Sequence, residues 1–217
     1  LKDFFPSITY PRVKGIFQDL GFSPAVATIL GLLCTECPRR KVAYNGKTFF
    51  VATGPRGLPQ GACTSPALSN LLARRLDARL AGLGKKLGFT YTRYADDLTF
   101  SADGEAAAKT GYLLARVRHI VAEESLTVNE KKTRVQRPGQ RQMVTGIVVN
   151  HRPNVPRRVA KRLRAILHQA QKGGLAAQNR EHRDNFAHWL AGMIAYVQMV
   201  NPTKGKRLRD LFQSVSD

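Results

Sequence analysis

The sequence predicts an α+β fold, in which helices are mixed with antiparallel hairpins. Apolar residues recur at helical spacing in several segments of the chain. Two other segments are rich in β-forming residues on both sides of a short turn, which is typical of hairpins. The 217 residues are 43% hydrophobic, so the chain has enough apolar surface to bury a core in one large or two small domains.

Near its start, the chain is predicted to form a strand followed by two short helices. The aromatic run at residues 1–5 is interpreted as the strand. Residues 11–20 and 24–33 each begin with proline and carry apolar residues at helical spacing, and Gly21 separates them.

A hairpin and a longer helix are expected next. The Asn45-Gly46 dipeptide lies between β-forming residues and predicts a hairpin over residues 42–52. From Ser65 onward, leucines recur every four residues until the glycines at 82 and 84, so one helix is expected over this segment.

The next segments are predicted to add a second hairpin, a helix and a further strand. Residues 89–101 contain β-forming residues on both sides of an acidic turn. Residues 106–124 have a helical apolar pattern, and residues 143–150 are interpreted as a strand.

A change in composition near residue 151 predicts two domains, residues 1–150 and residues 151–217. Two prolines act as a linker at this point. Helices with an apolar stripe are expected over residues 157–171 and 186–200. The second domain is therefore predicted to be small and helical.

The chain carries a formal net charge of +20, from 35 Lys or Arg residues and 15 Asp or Glu residues. Self-repulsion of this size favours a polyanionic partner, and nucleic acid is the expected one. Residues 151–170 include six Lys or Arg residues and no acid. No run is long and apolar enough to span a bilayer, so we expect a cytoplasmic protein with no membrane partner. Three cysteines do not indicate a disulfide framework.

The sharpest local motif is Tyr94-Ala95-Asp96-Asp97, which lies between two β-forming segments. Adjacent carboxylates at a turn repel each other unless water or cations neutralise them. A hard divalent cation suits such a pair, since Mg²⁺ binds one or two carboxylates together with substrate phosphates. A solvated turn is the alternative interpretation of an Asp pair taken alone.

Five motifs in order, over nearly the whole chain, resemble those of the reverse transcriptases of bacterial retrons and group II introns. In chain order they are Leu1 to Ile8, Gly57-Leu58-Pro59-Gln60-Gly61 with Ser65-Pro66 and Asn70, Tyr94-Ala95-Asp96-Asp97, Leu126 with Asn129, Lys132 and Thr133, and Val144-Thr145-Gly146. The resemblance implies a polymerase-like palm, an antiparallel sheet backed by helices, with part of the fingers in residues 1–150. A small helical thumb is implied for residues 151–217.

The resemblance also implies roles for individual residues in an RNA-directed DNA polymerase. Asp96 and Asp97 are expected to bind two Mg²⁺ ions, which Mn²⁺ can replace. Lys132 is expected to lie near the leaving pyrophosphate. These three are the expected catalytic residues. The residues expected to bind the nucleotide are Asp3, Phe4, Phe5, Gln60 and Gly61. Among them, Phe5 matches the aromatic that lies under the sugar and excludes a 2′-hydroxyl.

The cationic helix of the second domain is expected to follow the backbone of the template and primer. The residues expected to contact phosphates are Arg157, Arg158, Lys161, Arg162 and Arg164. The implied partners are an RNA template, a DNA or RNA primer and deoxynucleoside triphosphates. Val144-Thr145-Gly146 matches three residues of the retron enzymes. The resemblance therefore implies a structured non-coding RNA as a further candidate partner.

Two departures from the family pattern affect the assignment. The family's first metal-binding aspartate would lie one residue before Leu1, so the chain is expected to be an incomplete catalytic unit. The retron motif Asn-Ala-x-x-His is not found between the first two motifs. A maturase-like reverse transcriptase and a non-catalytic RNA-binding relic of the fold are therefore the alternatives to a retron-type enzyme. The intact acid pair favours an enzyme, because RNA binding alone gives no reason to keep it.

Overall fold

The computed structural model describes residues 1–215 and divides them into two compact units. The first unit is Leu1–Thr133, and the second begins at Arg134. The boundary between the units is defined by contacts within the chain, and it lies before the change in composition at residue 151. The functional division into residues 1–150 and 151–217 stays a prediction.

The first unit combines helices with two hairpins. Its α-helices are α1 (Phe4–Ser7), α2 (Tyr10–Asp19), α3 (Pro24–Leu33), α4 (Ser65–Leu72), α5 (Arg74–Leu87) and α6 (Thr110–Glu123). Its strands are β1 (Arg39–Tyr44), β2 (Lys47–Ala52), β3 (Thr90–Tyr94) and β4 (Asp97–Ser101). A 3₁₀ helix over Gly104–Lys109 precedes α6.

The second unit is mostly helical. It begins with a short hairpin of β5 (Met143–Val144) and β6 (Ile147–Val148). Three helices follow, α7 (Arg157–Gly173), α8 (Phe186–Val200) and α9 (Pro202–Gln213), with a 3₁₀ turn over Ala176–Gln178.

Each strand pairs only with its neighbour in sequence, which gives three separate antiparallel hairpins within residues 1–215. The β1–β2 register pairs Tyr44 with Lys47 and leaves Asn45 and Gly46 in the left-handed region that a two-residue turn requires. The α+β class is confirmed. The described strands do not join into one continuous sheet.

Each unit has its own apolar core. Val13, Leu80 and Val121 are fully buried in the first unit, on α2, α5 and α6. In the second unit, Leu167 and Leu190 are fully buried on α7 and α8. Within residues 1–215, no helix combines the length and the apolar composition of a membrane span.

The start of the chain does not form the expected strand. Asp3 has a left-handed φ of 46°, which aspartate tolerates better than most residues. The chain then enters the single helical turn α1, where the Ser7 amide donates to the Asp3 carbonyl at 2.9 Å. The left-handed residue therefore ends the extended run.

The single helix expected from Ser65 is instead two helices, separated at Ala73. The second of them, α5, continues through Gly84, because the backbone of Phe89 packs against that glycine. A Cβ at position 84 would lie 2.9 Å from the Phe89 carbonyl oxygen. Gly84 therefore allows α5 and the backbone of Phe89 to approach closely, and it does not end the helix. The helix α5 ends before Gly88, whose φ is 83°.

Two features of the second unit also differ from the prediction. Residues 143–150 contain a hairpin instead of one strand, because Thr145 and Gly146 have left-handed φ values of 46° and 87° and reverse the chain. The helix α9 was not predicted, although its signals are in the sequence. Asn201 caps it by accepting from the Lys204 amide at 3.0 Å, and Pro202 follows.

Candidate functional site

The Asp96-Asp97 pair lies at the tip of the β3–β4 hairpin. The register pairs Tyr94 with Asp97, so Ala95 and Asp96 form a two-residue connection. Ala95 has a φ of 50°. Asp96 is half-buried, whereas Asp97 and Tyr94 are exposed. The acidic turn predicted from the sequence is therefore present, with two adjacent carboxylates at its tip.

The start of the chain lies against this turn. The amino nitrogen of Leu1 donates to the carbonyl oxygen of Asp96 at 2.5 Å. The charges of Asp96, Asp97 and Lys132 all act on this nitrogen. All three predicted catalytic residues are thus close enough to influence the same nitrogen atom.

Lys132 is positioned by a turn that follows the segment after α6. The amide of Lys132 and the hydroxyl of Thr133 both donate to the Asn129 carbonyl at 3.0 Å. The Lys2 amide donates to the Thr127 carbonyl at 2.8 Å. These bonds connect the start of the chain with the segment that leads to Lys132, and the Lys132 side chain is exposed.

A buried arginine connects the acidic turn with two helices. The side chain of Arg93, on β3, is only 8% exposed. It donates to both carboxylate oxygens of Asp77 on α5, at 2.8 and 2.7 Å. It also donates to the side-chain oxygen of Asn70 on α4 at 3.0 Å and to the carbonyl of Ala95 at 3.1 Å.

The charges of this network influence each other strongly. Burial favours a raised pKa for Asp77, but hydrogen bonds from Arg93 and Tyr91 outweigh that effect and lower it. Burial and then the hydrogen bond to Asp77 raise the pKa of Tyr91. The network therefore holds a charged carboxylate beside a neutral phenol. Asn70 was part of a motif match in the sequence, whereas Arg93 and Asp77 were not predicted as site residues. The position of Arg93, a cation directly before the Tyr94 motif, was a signal that could have identified it.

The Gln60-Gly61 loop is exposed, and its flanks are fixed. The Ser65 hydroxyl donates to the Pro59 carbonyl at 2.7 Å, and the buried Leu58 donates its amide to the Ile8 carbonyl at 3.1 Å. Gly61 has a φ of 91°. The loop is thus attached to the chain that follows α1, but no hydrogen bond within residues 1–215 joins Gln60 or Gly61 to the acid pair.

The residues expected near the sugar and triphosphate lie in and before α1. Phe4 is 3% exposed and belongs to the core. Phe5 is half-buried, and its ring centroid lies 5.6 Å from that of Phe4. Asp3 is exposed. Only Phe5 of the two phenylalanines therefore has a surface available to a ligand.

The donor set of the turn fits a hard divalent cation. The side chains of Asp96 and Asp97 form no hydrogen bond or ion pair with another of residues 1–215. Carboxylate oxygens suit Mg²⁺, which completes its coordination with substrate phosphates and water. No group of three or more His, Cys, Asp or Glu residues is arranged to hold a metal in the described chain. Further oxygen atoms would have to come from a substrate or another residue.

The predicted cationic face is present on α7. All five of the residues expected to contact phosphates are exposed, and they are Arg157, Arg158, Lys161, Arg162 and Arg164. Arg162 forms an ion pair with Glu181 and lies over the ring of Trp189 at 5.5 Å. The other four form no ion pair with a residue in the described part of the chain.

Comparison with known proteins identifies one family. Residues 1–171 match the family described as reverse transcriptase (RNA-dependent DNA polymerase). The chain is 46% identical to the retron Mx162 reverse transcriptase of Myxococcus xanthus, over 95% of the chain and 44% of that protein.

Two further relatives carry similar names. The retron Mx65 reverse transcriptase of Myxococcus xanthus is 48% identical, over 96% of the chain and 47% of that protein. The retron Ec86 reverse transcriptase of Escherichia coli is 31% identical, over 96% of the chain and 56% of that protein. The chain therefore spans about half the length of the curated relatives it matches.

Proposed function

Because the chain belongs to the reverse transcriptase (RNA-dependent DNA polymerase) family, we propose that it is the catalytic core of a retron-type RNA-directed DNA polymerase. The names of the relatives favour a retron enzyme over a maturase-like one. We propose the bacterial cytoplasm as its location. The protein would copy an RNA template by extending a DNA or RNA primer with deoxynucleoside triphosphates.

One observation carries this proposal, the juxtaposition of the acid pair with Lys132 and the start of the chain. The side chains of Asp96 and Asp97 form no hydrogen bond or ion pair with another of residues 1–215, although the chain carries a net charge of +20. Adjacent unpaired carboxylates are costly. A site that gathers cations and phosphates during a reaction gives a reason for keeping them.

The proposed reaction is nucleotidyl transfer. The 3′-hydroxyl of the primer gives up its proton to water and attacks the α-phosphate of the incoming nucleotide. A new P–O bond forms, and pyrophosphate leaves with the electrons of the broken P–O bond. Asp96 and Asp97 would hold two Mg²⁺ ions, which Mn²⁺ can replace. When bound, these ions neutralise the phosphate charge and activate the attacking oxygen.

The other residues of the site would bind and orient the substrates. Lys132 would neutralise charge on the leaving pyrophosphate. Phe5 would lie under the sugar, the backbone amides at Asp3 and Phe4 would meet the triphosphate, and the Gln60-Gly61 loop would line the nucleotide pocket. Arg93 would keep the turn in position, since it donates to the carbonyl of the residue before Asp96.

We further propose that residues 1–150 form the palm with part of the fingers, and that residues 151–217 form the thumb. The exposed cations of α7 support this division, because a thumb that follows a nucleic-acid backbone needs phosphate contacts without sequence specificity. The hairpin turn at Thr145 and Gly146 is the place where we expect contact with a structured non-coding RNA.

A primer-extension assay tests the proposal. The gene product that contains this chain, at its full length, should incorporate deoxynucleotides on an RNA template in the presence of Mg²⁺ or Mn²⁺. An aspartate immediately before Leu1 in that product would supply the further carboxylate that the family uses. RNA binding without incorporation, together with a residue that cannot bind a metal at that position, would favour the non-catalytic alternative.

A further inference from the structure

The second unit contains a pocket of about 250 Å³ between one face of α7 and the segment that leads into α8. Its walls combine three kinds of groups. Ile166 and Phe186 provide apolar surface, Gln169 and Gln178 provide side-chain amides, and Arg162 and Arg180 provide positive charge. Of these residues, only Arg162 has a role proposed above, as a phosphate contact of α7, and none is placed at the acid pair.

The aromatic wall of the pocket is part of a stacked pair of rings. The ring of Phe186 is stacked on that of Trp189, with centroids 5.7 Å apart and an angle of 19° between the ring planes. Arg183 lies over the Trp189 ring at 4.6 Å from its centroid. A flat aromatic wall that is already stacked on one partner is a suitable platform for another planar ring.

The charge at the pocket favours an anionic ligand. Glu181 lines the pocket and forms ion pairs with Arg162 and Arg183. Hydrogen bonds from Arg183 and then Arg162 lower the pKa of this glutamate, so it stays ionised. The two guanidinium groups that line the pocket, those of Arg162 and Arg180, still outnumber its one carboxylate. The local excess is therefore positive.

The polar groups of the pocket are available to a ligand. The side-chain amides of Gln169 and Gln178 form no hydrogen bond with another residue in the described part of the chain. Side-chain amides both donate and accept hydrogen bonds, as the edges of nucleobases do. An acidic peptide would pair with the arginines, but its acidic side chains offer no aromatic ring to stack on the wall.

We propose that this pocket receives one unstacked nucleobase of a single-stranded RNA segment. The base stacks on Phe186, the amides of Gln169 and Gln178 contact its edge, and Arg162 and Arg180 contact the adjacent phosphates. The inference rests on the proposed function only in taking RNA as the partner. It adds a base-binding site outside the polymerase site.

Trp189 provides a direct test, because it is the only tryptophan of the 217-residue chain. The chain is titrated with a single-stranded RNA oligonucleotide, with an RNA duplex of equal length, and with inorganic polyphosphate as a polyanion without bases. We expect a saturable change in Trp189 fluorescence with the single strand only. An equal change with the duplex or with polyphosphate would show that backbone charge alone is recognised and would overturn the proposal.

Variants measure the contribution of the pocket to affinity. Phe186→Ala should weaken binding of a labelled single-stranded RNA about tenfold, the order of magnitude expected for one stacked base. Phe186→Tyr should retain the affinity. Tyr112→Ala, which removes an exposed aromatic of α6, is the matched control and should not change it.

A second variant keeps the test informative if Phe186→Ala unfolds. Ala165 is exposed and lines the pocket, so Ala165→Leu fills the space without removing an existing contact. It should weaken single-strand binding while duplex binding is unchanged. Unaltered single-strand affinity in Ala165→Leu contradicts the proposal. Asp96→Ala should leave the fluorescence change intact, which separates failure of the pocket from failure of the polymerase assignment.

Discussion

Arg93 and Asp77 form a two-pronged ion pair, in which Nε donates to Oδ1 at 2.8 Å and Nη2 donates to Oδ2 at 2.7 Å. The remaining terminal nitrogen of Arg93 donates to Asn70 and to the Ala95 carbonyl. One buried guanidinium therefore joins α4 and α5 to the residue next to Asp96. A planar fork of donors is required for this arrangement, and lysine does not offer one.

The Asp77 carboxylate should make the stability of the first unit sensitive to acid. Its pKa is lowered in the folded chain from an ordinary value of 3.8, so its contribution to stability is present above about pH 4. That contribution is lost as pH falls through the lower pKa of the folded state. Thermal unfolding of Asp77→Asn and of the parent should therefore differ most near neutral pH and converge below about pH 4.

The matched control for this experiment is Asp103→Asn, since Asp103 is exposed and outside the network. It should unfold like the parent at every pH. A constant difference between Asp77→Asn and the parent from pH 7 down to pH 2 would contradict the role assigned to the ion pair.

The network also shows where sequence reasoning stops. The helices α3 and α8 and the hairpins at Asn45-Gly46 and Asp96 were predicted because each is specified by residues close together in sequence. The pairing of Arg93 with Asp77 joins residues of two elements, and no local pattern reports it. The same holds for Gly84, whose role depends on the backbone of Phe89.

Local patterns were also misread where one backbone angle decides the outcome. Asp3 and Thr145 both take left-handed φ values, and each turned an expected strand into a turn. Aspartate tolerates this region, whereas β-branched threonine rarely adopts it, so the turn at Thr145 depends on contacts beyond the local sequence. For the candidate site, the sequence predicted the acidic turn itself. The attachment of the turn to the start of the chain required the structure.

Asp96→Ala should abolish primer extension by the full-length gene product while leaving folding and RNA affinity nearly unchanged. The substitution removes a proposed metal ligand, and it relieves repulsion within the Asp96-Asp97 pair instead of breaking an ion pair. Incorporation with Mg²⁺ and with Mn²⁺ is the measurement. Asp103→Ala is the control, and incorporation by Asp96→Ala at the parent rate would exclude this site.

Phe5→Ala should relax discrimination against ribonucleotides. Phe5 is half-buried beside Phe4, so removing its ring opens space at the surface and leaves most of the core intact. Incorporation of ribonucleotides relative to deoxynucleotides is the readout. Phe4→Ala is the contrast, because Phe4 is 3% exposed and its loss should cost about 3–5 kcal/mol of stability. A Phe5→Ala enzyme that rejects ribonucleotides as strongly as the parent would refute the sugar contact.

Gly205→Ala should destabilise the second unit. A Cβ at Gly205 would lie within van der Waals overlap of the backbone of Gln198, where α9 packs against α8. Overpacking of this kind costs about 1–3 kcal/mol. Gly192→Ala on α8 is the control, because nothing lies within 4 Å of its added Cβ, and better helix propensity should stabilise it slightly. Equal unfolding temperatures for the two variants would contradict the helix packing described here.

Neutralising the free cations of α7 should weaken nucleic-acid binding in a salt-dependent way. Arg157, Arg158 and Lys161 are exposed and have no ion-pair partner among residues 1–215, so their charges are available to phosphates. Their joint replacement by glutamine should lower affinity for template and primer uniformly across sequences. The slope of log K against log salt should become shallower by roughly 0.7–0.9 for each lost contact, or roughly 2.1–2.7 for the three together.

The comparison triple, Lys85, Lys86 and Lys109 to glutamine, removes the same three charges from a chain of net charge +20 but leaves α7 intact. If the overall charge alone sets the affinity, both triples will change the salt slope equally, and the proposed thumb contact is then wrong.

Arg162→Gln provides a second contrast within the same helix. Glu181 already pairs with Arg162. Loss of the Arg162 charge should therefore flatten the slope of log K against log salt less than loss of the Arg158 charge alone. At saturating template and primer, the rate of adding one nucleotide should stay near that of the parent in the α7 triple, since the proposed reacting groups surround Asp96.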